Sequence, residues 1–472
     1  MRILGTIGSS SREVPNAPTI GTATDVGTAR AYNNGAASVT FTAPSFDGGL
    51  PITSYTVTSS PGGFTGTGAS SPVTVTGLQS STSYTFTVTA TNSVGTSAAS
   101  SASNSITATT VPQAPTIGTA TGANASATVT YTAGATGGKA VSAYTATSSP
   151  GGQTGSGTSP ITVSGLTNGT AYTFTVTATN ANGTSTASAA SNSVTPATPF
   201  SASGGTEYTS GGYKYHKFTS SGTFTVSAGS ASAEVMVIAG GGSGGAASGG
   251  TYSGGGGAGG FRVVSTSVSS ATGSYTITVG AGGGDQGDPG FPSFFASIGA
   301  TRGGQGGSGG GGVGATGGSG GGAGALGSSN ISGGTGNQGG YSPVEGYNGG
   351  TGFVQNRSGG GGGAGGAGSS GPINFSGGVG GTGNGSYSTW ASATSSGVGG
   401  YYAGGGGGGA GSSTVPSGGA GGGGAGSNDS TAGVAGTANT GSGGGGGNSS
   451  GKDTSRNAGN GGSGLVIVRY AV

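Results

Sequence analysis

The chain has 472 residues, of which 122 are Gly, and only 5% are charged, against roughly a quarter in an ordinary soluble domain. Twelve basic and ten acidic residues give a net charge of +2, too sparse and too balanced for a surface that binds nucleic acid or anionic membranes. There is no Cys and only one His, which excludes disulfides and thiol chemistry and leaves little for acid–base catalysis. We therefore expect a protein that is not an enzyme, that binds no nucleic acid, and that has no metal or cofactor site.

The first residues match neither an export signal nor a membrane anchor. Ile3, Leu4 and Ile7 form a short apolar patch interrupted by Gly, whereas a secretory signal needs an apolar core of roughly 7–15 residues. No segment approaches the roughly 18–20 apolar residues that span a bilayer. We expect residues 1–13 to be an attachment segment, and we expect neither signal-directed export nor membrane insertion.

A long internal repeat covers the first two hundred residues. The run VPNAPTIGTAT at 14–24 returns as VPQAPTIGTAT at 111–121, and YTFTVTATN at 84–92 returns at 172–180. Copies of this length are whole domains rather than solenoid units. The spacing between the copies shortens along the chain because the first copy carries extra residues around Asp25 to Gly35. The repeat predicts two tandem domains, at 14–110 and 111–199.

Each copy is a string of short segments in which apolar and polar residues alternate. From Tyr84 to Ala90 one face carries Tyr, Phe, Val and Ala, and the other carries only Thr, which is the pattern of a half-buried strand. Clusters of Gly, Pro, Asn and Ser separate such runs at spacings that suit a β-sandwich. Further strands are predicted at 38–42, 52–58 and 72–76, and in the second copy at 128–132, 141–147 and 160–164.

Two motifs make the fold more specific. Gly-Leu at 77–78 and the run that begins at Tyr84 resemble the E–F corner and F strand of a fibronectin type III domain, and Gly-Leu at 165–166 with the run from Tyr172 repeats them. The resemblance implies two immunoglobulin-like sandwiches in which each Tyr hydroxyl bonds to the backbone just upstream. The Trp that such domains usually carry early is missing, which implies small cores. No charged residue lies between 49 and 138 or between 140 and 206, which favours protease-resistant spacers.

From Phe200 onward Gly dominates, without the strict Gly-X-Y register of collagen. Composition alone would favour a flexible linker. However, predicted strands frame the Gly runs, and the chain ends on an apolar Leu-Val-Ile-Val run that needs burial. The framing strands are 213–219, 223–227, 234–239, 261–265, 275–279 and 465–470.

Long Gly runs can order as polyglycine II helices, which make no internal hydrogen bonds and must bond to their neighbours when buried. Only Gly allows neighbouring backbones to approach closely enough for that bonding. We therefore predict an all-β chain: two tandem immunoglobulin-like (fibronectin III) sandwiches, followed at 200–472 by a small β-scaffold that carries a packed polyglycine II helix bundle.

Three segments of this half, at 218–226, 233–242 and 461–470, resemble the glycine-rich domain of bacteriophage fibre and appendage proteins. Such domains are similar to tail-fibre adhesins, in which packed polyglycine helices present variable loops to the host. The resemblance implies a structural appendage of the virion surface, a tail or capsid fibre assembled in the host cytoplasm. Its N-terminus would bind other virion proteins and its tip a host glycan or receptor. We expect a homotrimer, because weakly charged sandwiches with small cores gain stability by association.

Aromatic residues cluster where the Gly runs are interrupted. Rings beside Asn, Ser and backbone amides can grip sugars with little loss of entropy. We expect the interruptions to leave the bundle as turns at the end that faces the host, with their rings outside the backbone lattice. The alternative is that the rings cap the lattice and pack on one another. The candidate receptor-binding residues are Tyr387, Trp390, Tyr401, Tyr402, Tyr341, Tyr347 and Phe353.

The other motifs are weak evidence of function. The run 446–452 spells most of a phosphate-binding loop, but Asp453 stands where Ser or Thr must hold Mg²⁺, and chance matches are expected in so Gly-rich a chain. Asp285 and Asp288 are interpreted as solvated loop carboxylates. His216 is interpreted as a strand residue, because no second His can share a metal with it.

Two rival functions remain open. A bacterial surface adhesin would need an export signal and a wall or membrane anchor, and neither is recognisable in the sequence. A glycan depolymerase would need two suitably spaced carboxylates. The glycine-rich half offers Asp285, Asp288, Glu345, Asp429 and Asp453.

Overall fold

The computed structural model describes residues 12–285, 287–325, 328–354, 356–373, 375–449 and 457–472. Most of the predicted attachment segment, residues 1–11, lies outside these residues, and so do the end of the phosphate-loop-like run, at 450–452, and the candidate carboxylate Asp453. The chain divides into two compact units, and the boundary along the chain lies between Thr198 and Pro199. No helix within the described ranges is long and apolar enough to cross a bilayer.

Two β-sandwiches of the same design form the first unit. The strands of the first are β1 (Thr19–Asp25), β2 (Gly35–Thr42), β3 (Ser54–Ser60), β4 (Thr65–Gly68), β5 (Val73–Leu78), β6 (Ser83–Thr91) and β7 (Ile106–Thr107). Those of the second are β8 (Thr116–Ala123), β9 (Ser126–Thr132), β10 (Val141–Ser149), β11 (Thr154–Ser156), β12 (Ile161–Ser164), β13 (Thr173–Asn180) and β14 (Gly183–Thr184). Each sandwich has a three-stranded and a four-stranded sheet, in the orders β1-β2-β5 with β4-β3-β6-β7 and β12-β9-β8 with β11-β10-β13-β14. All pairings are antiparallel, and the predicted sandwiches are confirmed.

The alternation that predicted β6 also predicts its packing. Tyr84, Phe86, Val88 and Ala90 are buried, and the Thr residues between them are only partly covered. The backbone N–H of Gln79 donates to the Tyr84 hydroxyl at 3.0 Å, and the N–H of Thr167 donates to the Tyr172 hydroxyl at 3.1 Å. Each Tyr hydroxyl therefore stabilises the turn that precedes the strand, as the fibronectin resemblance implies.

A scaffold of two five-stranded sheets opens the second unit. Its strands are β15 (Ser201–Ser203), β16 (Thr206–Ser210), β17 (Tyr213–Phe218), β18 (Gly222–Ala228), β19 (Ser230–Ile238), β20 (Phe261–Ser269), β21 (Ser274–Thr278), β22 (Ser293–Phe295), β23 (Ile298–Ala300) and β24 (Leu465–Ala471). The sheet orders are β15-β18-β21-β22-β23 and β16-β17-β24-β19-β20. A core of Phe224, Val235, Val237 and Val466 lies between the two sheets. One helix, α1 (Ser388–Thr394), interrupts the glycine-rich region.

Three neighbouring strands of the second sheet continue directly into glycine runs. Strand β19 leads into 239–245, the run 253–260 leads into β20, and the run 457–464 leads into β24. The ladder between β19 and β20 continues past the strands, because the N–H of Ala239 donates to the carbonyl of Gly260 at 3.0 Å. The scaffold therefore fixes the starting register of the glycine-rich bundle.

The run 253–260 lies at the centre of the bundle and bonds with a three-residue period. The N–H groups of residues 253, 256 and 259 donate to a run at 441–447, and those of 254, 257 and 260 donate to 301–307. Those of 255 and 258 donate to 359–362. Because successive residues bond to different neighbours and every third residue returns to the same one, the run has the three-fold symmetry of a polyglycine II helix.

The carbonyls of the same run accept bonds from three more segments. The donors lie in 239–245, 319–322 and 406–409. The central helix is thus surrounded by six neighbours, each joined to it by backbone hydrogen bonds, and the Ser253 hydroxyl adds a bond to the Gly447 carbonyl at 3.0 Å. The predicted polyglycine II bundle is confirmed, and it replaces a side-chain core with a lattice of main-chain bonds.

Candidate receptor-binding surfaces of the glycine-rich unit

The bundle has two ends with different surroundings. At the scaffold end, the runs join β19, β20 and β24. At the opposite end, the runs turn in a set of loops that bond to one another. These loops, named here the far-end loops, are 246–252, 308–312, 328–331, 353–354 with 356–357, 371–373 with 375–376, 411–416 and 428–431.

The structure overturns the predicted position of Trp390 and Tyr402. Both lie at the scaffold end rather than among the far-end loops, and they are 1% and 0% exposed. Trp390 meets the ring of Tyr215 edge-on, with 5.9 Å between centroids, and Tyr402 lies 6.1 Å from the ring of Phe261. Burial raises the pKa of Tyr402, and its hydroxyl bonds to the Ser396 hydroxyl at 2.7 Å. Neither ring can meet a receptor here, and both pack in the core.

Helix α1 explains why Trp390 is buried. Its buried residues Trp390, Ala391 and Thr394 share one face, and Trp390 and Ala391 belong to one apolar cluster with Leu465 and Ile467 of β24. The guanidinium of Arg469 lies 4.5 Å from the Trp390 ring. The interruption at 387–402 therefore buries Trp390 and Tyr402 against the scaffold sheet instead of displaying these two rings.

The other predicted rings at this end are partly accessible. Tyr401 and Tyr347 are 41% and 42% exposed. Tyr387 is half-buried against Phe261, with 5.5 Å between centroids. Tyr341 is covered on one face by the guanidinium of Arg262, which lies 3.7 Å from the ring centre.

Phe353 is the one predicted residue that the structure places among the far-end loops. Its ring is half-buried, with the guanidinium of Arg357 4.8 Å from its centre. Three further apolar side chains are exposed in the same set of loops: Ile373, Phe375 and Val415 are 68%, 48% and 39% exposed. The interruption that contains Ile373 and Phe375 is visible in the sequence, whereas Val415 was missed because it is a single apolar residue in a turn of Gly, Ser, Thr and Pro.

The far-end loops are held together by specific contacts. The ring of Tyr252 meets that of Phe375 edge-on at 6.5 Å, and the Phe375 carbonyl accepts the N–H of Gly411 at 2.8 Å. The side chain of Asn428 accepts two backbone N–H groups at 2.8 Å and donates to the carbonyl of Ser413 at 3.0 Å. Among their described residues, the charged side chains of these loops are Arg357 and Asp429. The result is a fixed, weakly charged surface with exposed apolar groups.

Three acidic residues of this unit, Glu345, Asp285 and Asp288, lie outside the far-end loops. Glu345 is fully buried near the scaffold, where it accepts the N–H of Thr301 at 3.1 Å, and burial raises the pKa of its carboxyl group. Asp285 and Asp288 lie on one exposed turn, in which the N–H of Asp285 donates to the Asp288 carboxylate at 3.2 Å. No group of three or more potential metal ligands occurs within the described ranges.

His216 is a strand residue, as interpreted from the sequence. It lies in β17 and is fully buried, with Nδ1 2.8 Å from the Gly204 carbonyl and Nε2 3.1 Å from the Tyr470 hydroxyl. A neutral ring satisfies both contacts by donating from Nδ1 and accepting at Nε2. Burial lowers the pKa of His216.

Comparison with known proteins agrees with this architecture. The fibronectin type III domain family matches residues 24–106 and 111–194, and the glycine-rich domain family matches residues 218–471. The FN1–FN3 domains of chicken CNTN1 are 15% identical, with 61% of this chain and 96% of that chain covered and a TM-score of 0.25. Titin kinase and its flanking domains are 21% identical, with 26% of this chain and 28% of that chain covered and a TM-score of 0.18. No curated protein matches the chain.

The family models match a large part of the chain as well as its fold. Fibronectin type III domains are generally non-catalytic structural or binding modules, and two of them precede the glycine-rich region. The glycine-rich match spans more than half of the 472 residues and includes the whole bundle and most of its scaffold. The chain therefore belongs to the glycine-rich domain family, and it carries two fibronectin type III domains before that domain.

Proposed function

We propose that the chain is a structural appendage of a bacteriophage virion, a tail or capsid fibre, whose far-end loops bind the host cell surface. The two sandwiches act as a spacer, and the polyglycine bundle holds the binding loops. The sequence resemblance to phage fibre proteins supports the virion origin, and the family match supports the glycine-rich part of that resemblance.

One observation carries the binding role. The far-end loops expose Ile373 and Phe375 on a surface that is already fixed by hydrogen bonds and ring contacts. A surface that is ordered before binding loses little entropy when it meets its ligand. Exposed apolar groups on such a surface are typical of recognition sites.

The ligand that fits these loops is an uncharged one. The loops carry few charges, and the Phe375 side chain is 48% exposed, so a sugar ring could stack on its ring. A neutral glycan, or an apolar loop of a surface protein, therefore suits the site better than an acidic polysaccharide.

The homotrimer expected from the sequence remains a prediction, for which light scattering would give a mass well above 42.8 kDa.

The test uses the purified full chain as a competitor of phage adsorption to host cells. A far-end variant, Ile373→Ser with Phe375→Ala, is compared with a matched variant at the scaffold end, Tyr347→Ala with Tyr401→Ala. Each variant removes two exposed apolar side chains. The far-end variant should need at least about tenfold more protein to block adsorption, because a few central groups dominate binding energy.

The outcomes separate the alternatives. If the scaffold-end variant loses competition and the far-end variant keeps it, the binding surface lies at the other end of the bundle. If the unmodified chain does not compete at any concentration, the appendage role is refuted.

A further inference from the structure

The joint between the two sandwiches is built by an insertion that only the first copy carries. This loop, residues 26–34, extends from the first sandwich to the start of the second. The N–H of Ala29 donates to the carbonyl of Asn182 at 2.7 Å, and the N–H of Val111 donates to the carbonyl of Arg30 at 3.0 Å. One end of the first sandwich is thereby docked on one end of the second sandwich. The end of a sandwich at which the chain enters it is named here the entry pole.

Docking buries the entry pole of the second sandwich. Val111 and Asn182 are only 7% and 8% exposed. The side-chain amide of Asn182 donates to the Thr109 hydroxyl at 2.8 Å and to the Thr110 carbonyl at 3.2 Å. The loop 26–34 is therefore joined to this pole by backbone bonds, and the Asn182 amide bonds to the segment that connects the two sandwiches.

The first sandwich has an entry pole of the same construction. The side chain of Asn92 donates to the carbonyls of Glu13 and Asp47 at 2.7 and 2.8 Å. Asn180 makes the two equivalent bonds in the second sandwich, both at 2.9 Å. The two poles thus present the same backbone frame.

The poles differ in what covers them. Val14 occupies the position of Val111 and is 43% exposed, and Val94 occupies the position of Asn182 and is 48% exposed. Phe46 beside them is 42% exposed. The backbone bond from Asn16 to the Phe46 carbonyl and the closeness of Val14 to Gly95 bring the three side chains to one end of the sandwich. The first pole therefore presents an apolar triad. In the second pole the docked loop covers the positions of Val14 and Val94, whereas Ala135, at the position of Phe46, stays exposed.

We infer that the apolar triad of Val14, Phe46 and Val94 is a docking surface for the loop end of a β-sandwich domain in another virion protein. The occupant follows from the second pole, where the same frame is covered by the loop end of a sandwich. Val at position 94 in place of an Asn makes this contact more apolar than the joint within the chain. The inference rests on the proposed function for the identity of the partner, which belongs to the particle.

The experiment measures binding of the purified full chain to particles assembled without it, by co-sedimentation. Val94→Asp and Val14→Asp place a carboxylate in the centre of the triad. Thr74→Asp places the same charge on an exposed strand position of the same sandwich. Thermal unfolding of each variant shows whether the fold is kept, and we expect it to be kept because all three positions are exposed.

We expect the unmodified chain and Thr74→Asp to sediment with the particles, and Val94→Asp and Val14→Asp to bind at least about tenfold more weakly. Equal binding by all four proteins would overturn the docking surface and leave the appendage role intact. No binding by any of them, the unmodified chain included, would refute the appendage role and the docking surface together.

Discussion

Substitution of one glycine at the centre of the bundle should destabilise the second unit far more than the loss of a surface contact does. Gly256 is enclosed by other backbones, and a Cβ at this position would overlap the carbonyl oxygen of Gly242 and lie 2.7 Å from that of Ser243. Both obstacles are main-chain atoms that no rotamer change can move. Gly256→Ala therefore forces neighbouring helices apart.

The cost can be worked out from the bonds around this position. Gly256 donates to Gly444 at 2.8 Å and accepts from Gly406 at 2.9 Å, and Gly242 donates to Gly257 at 2.9 Å. Loss of three backbone bonds costs about 3 kcal/mol at roughly 1 kcal/mol each, and overpacking adds about 1–3 kcal/mol. The expected loss in the free energy of unfolding is about 4–6 kcal/mol.

The assay is denaturant unfolding followed by the fluorescence of Trp390, the only Trp, which is buried in the second unit. Gly284→Ala is the matched control, because a Cβ there meets no atom within 4 Å. The control should change stability by no more than about 0.5 kcal/mol. Equal unfolding midpoints for Gly256→Ala and Gly284→Ala would refute the close-packed lattice.

Three further outcomes are expected. Tyr84→Phe should destabilise the first sandwich by about 1–3 kcal/mol in thermal unfolding, because the N–H of Gln79 loses its acceptor. Trp390→Ala should cost about 3–5 kcal/mol and abolish protease resistance of the second unit, whereas retained resistance would mean that the ring does not support the fold. Burial lowers the pKa of His216 below its ordinary value of about 6.5, so the unfolded chain takes up the proton first and stability should fall as the pH drops below about 6.5. Stability of His216→Gln, measured at pH 7 and pH 5 by Trp390 fluorescence, should show a smaller loss than that of the unmodified chain.

The sequence predicted those parts of the fold that depend on local patterns. Alternation along Tyr84 to Ala90 indicated β6 and its buried face, and the apolar run from Leu465 indicated the strand that closes the scaffold. The polyglycine bundle was also predictable, because runs framed by strands must satisfy their backbone groups. In each case the pattern on which the prediction depends lies within one stretch of the chain.

The arrangement of the glycine runs was not predictable in the same way. A run such as 253–260 bonds to six other segments almost entirely through identical backbone groups, and Ser253 alone adds side-chain bonds, to Gly245 and Gly447. Hence the sequence does not show at which end of the bundle an interruption lies. This is why Trp390 was expected at the binding surface, although the spacing of Trp390, Ala391 and Thr394 already fitted one buried face of a short helix.

Amide hydrogen exchange of the full chain tests the central claim, that backbone bonds order the glycine runs, most directly. Every N–H from residue 253 to residue 260 donates to another segment, and those at 256 and 259 donate at 2.8 and 2.7 Å. These amides should exchange as slowly as those of β19 and β24, whereas the exposed N–H groups of the far-end loops should exchange early. Exchange of the 253–260 amides at the rate of an unstructured chain would contradict the lattice and leave the glycine-rich region a flexible linker.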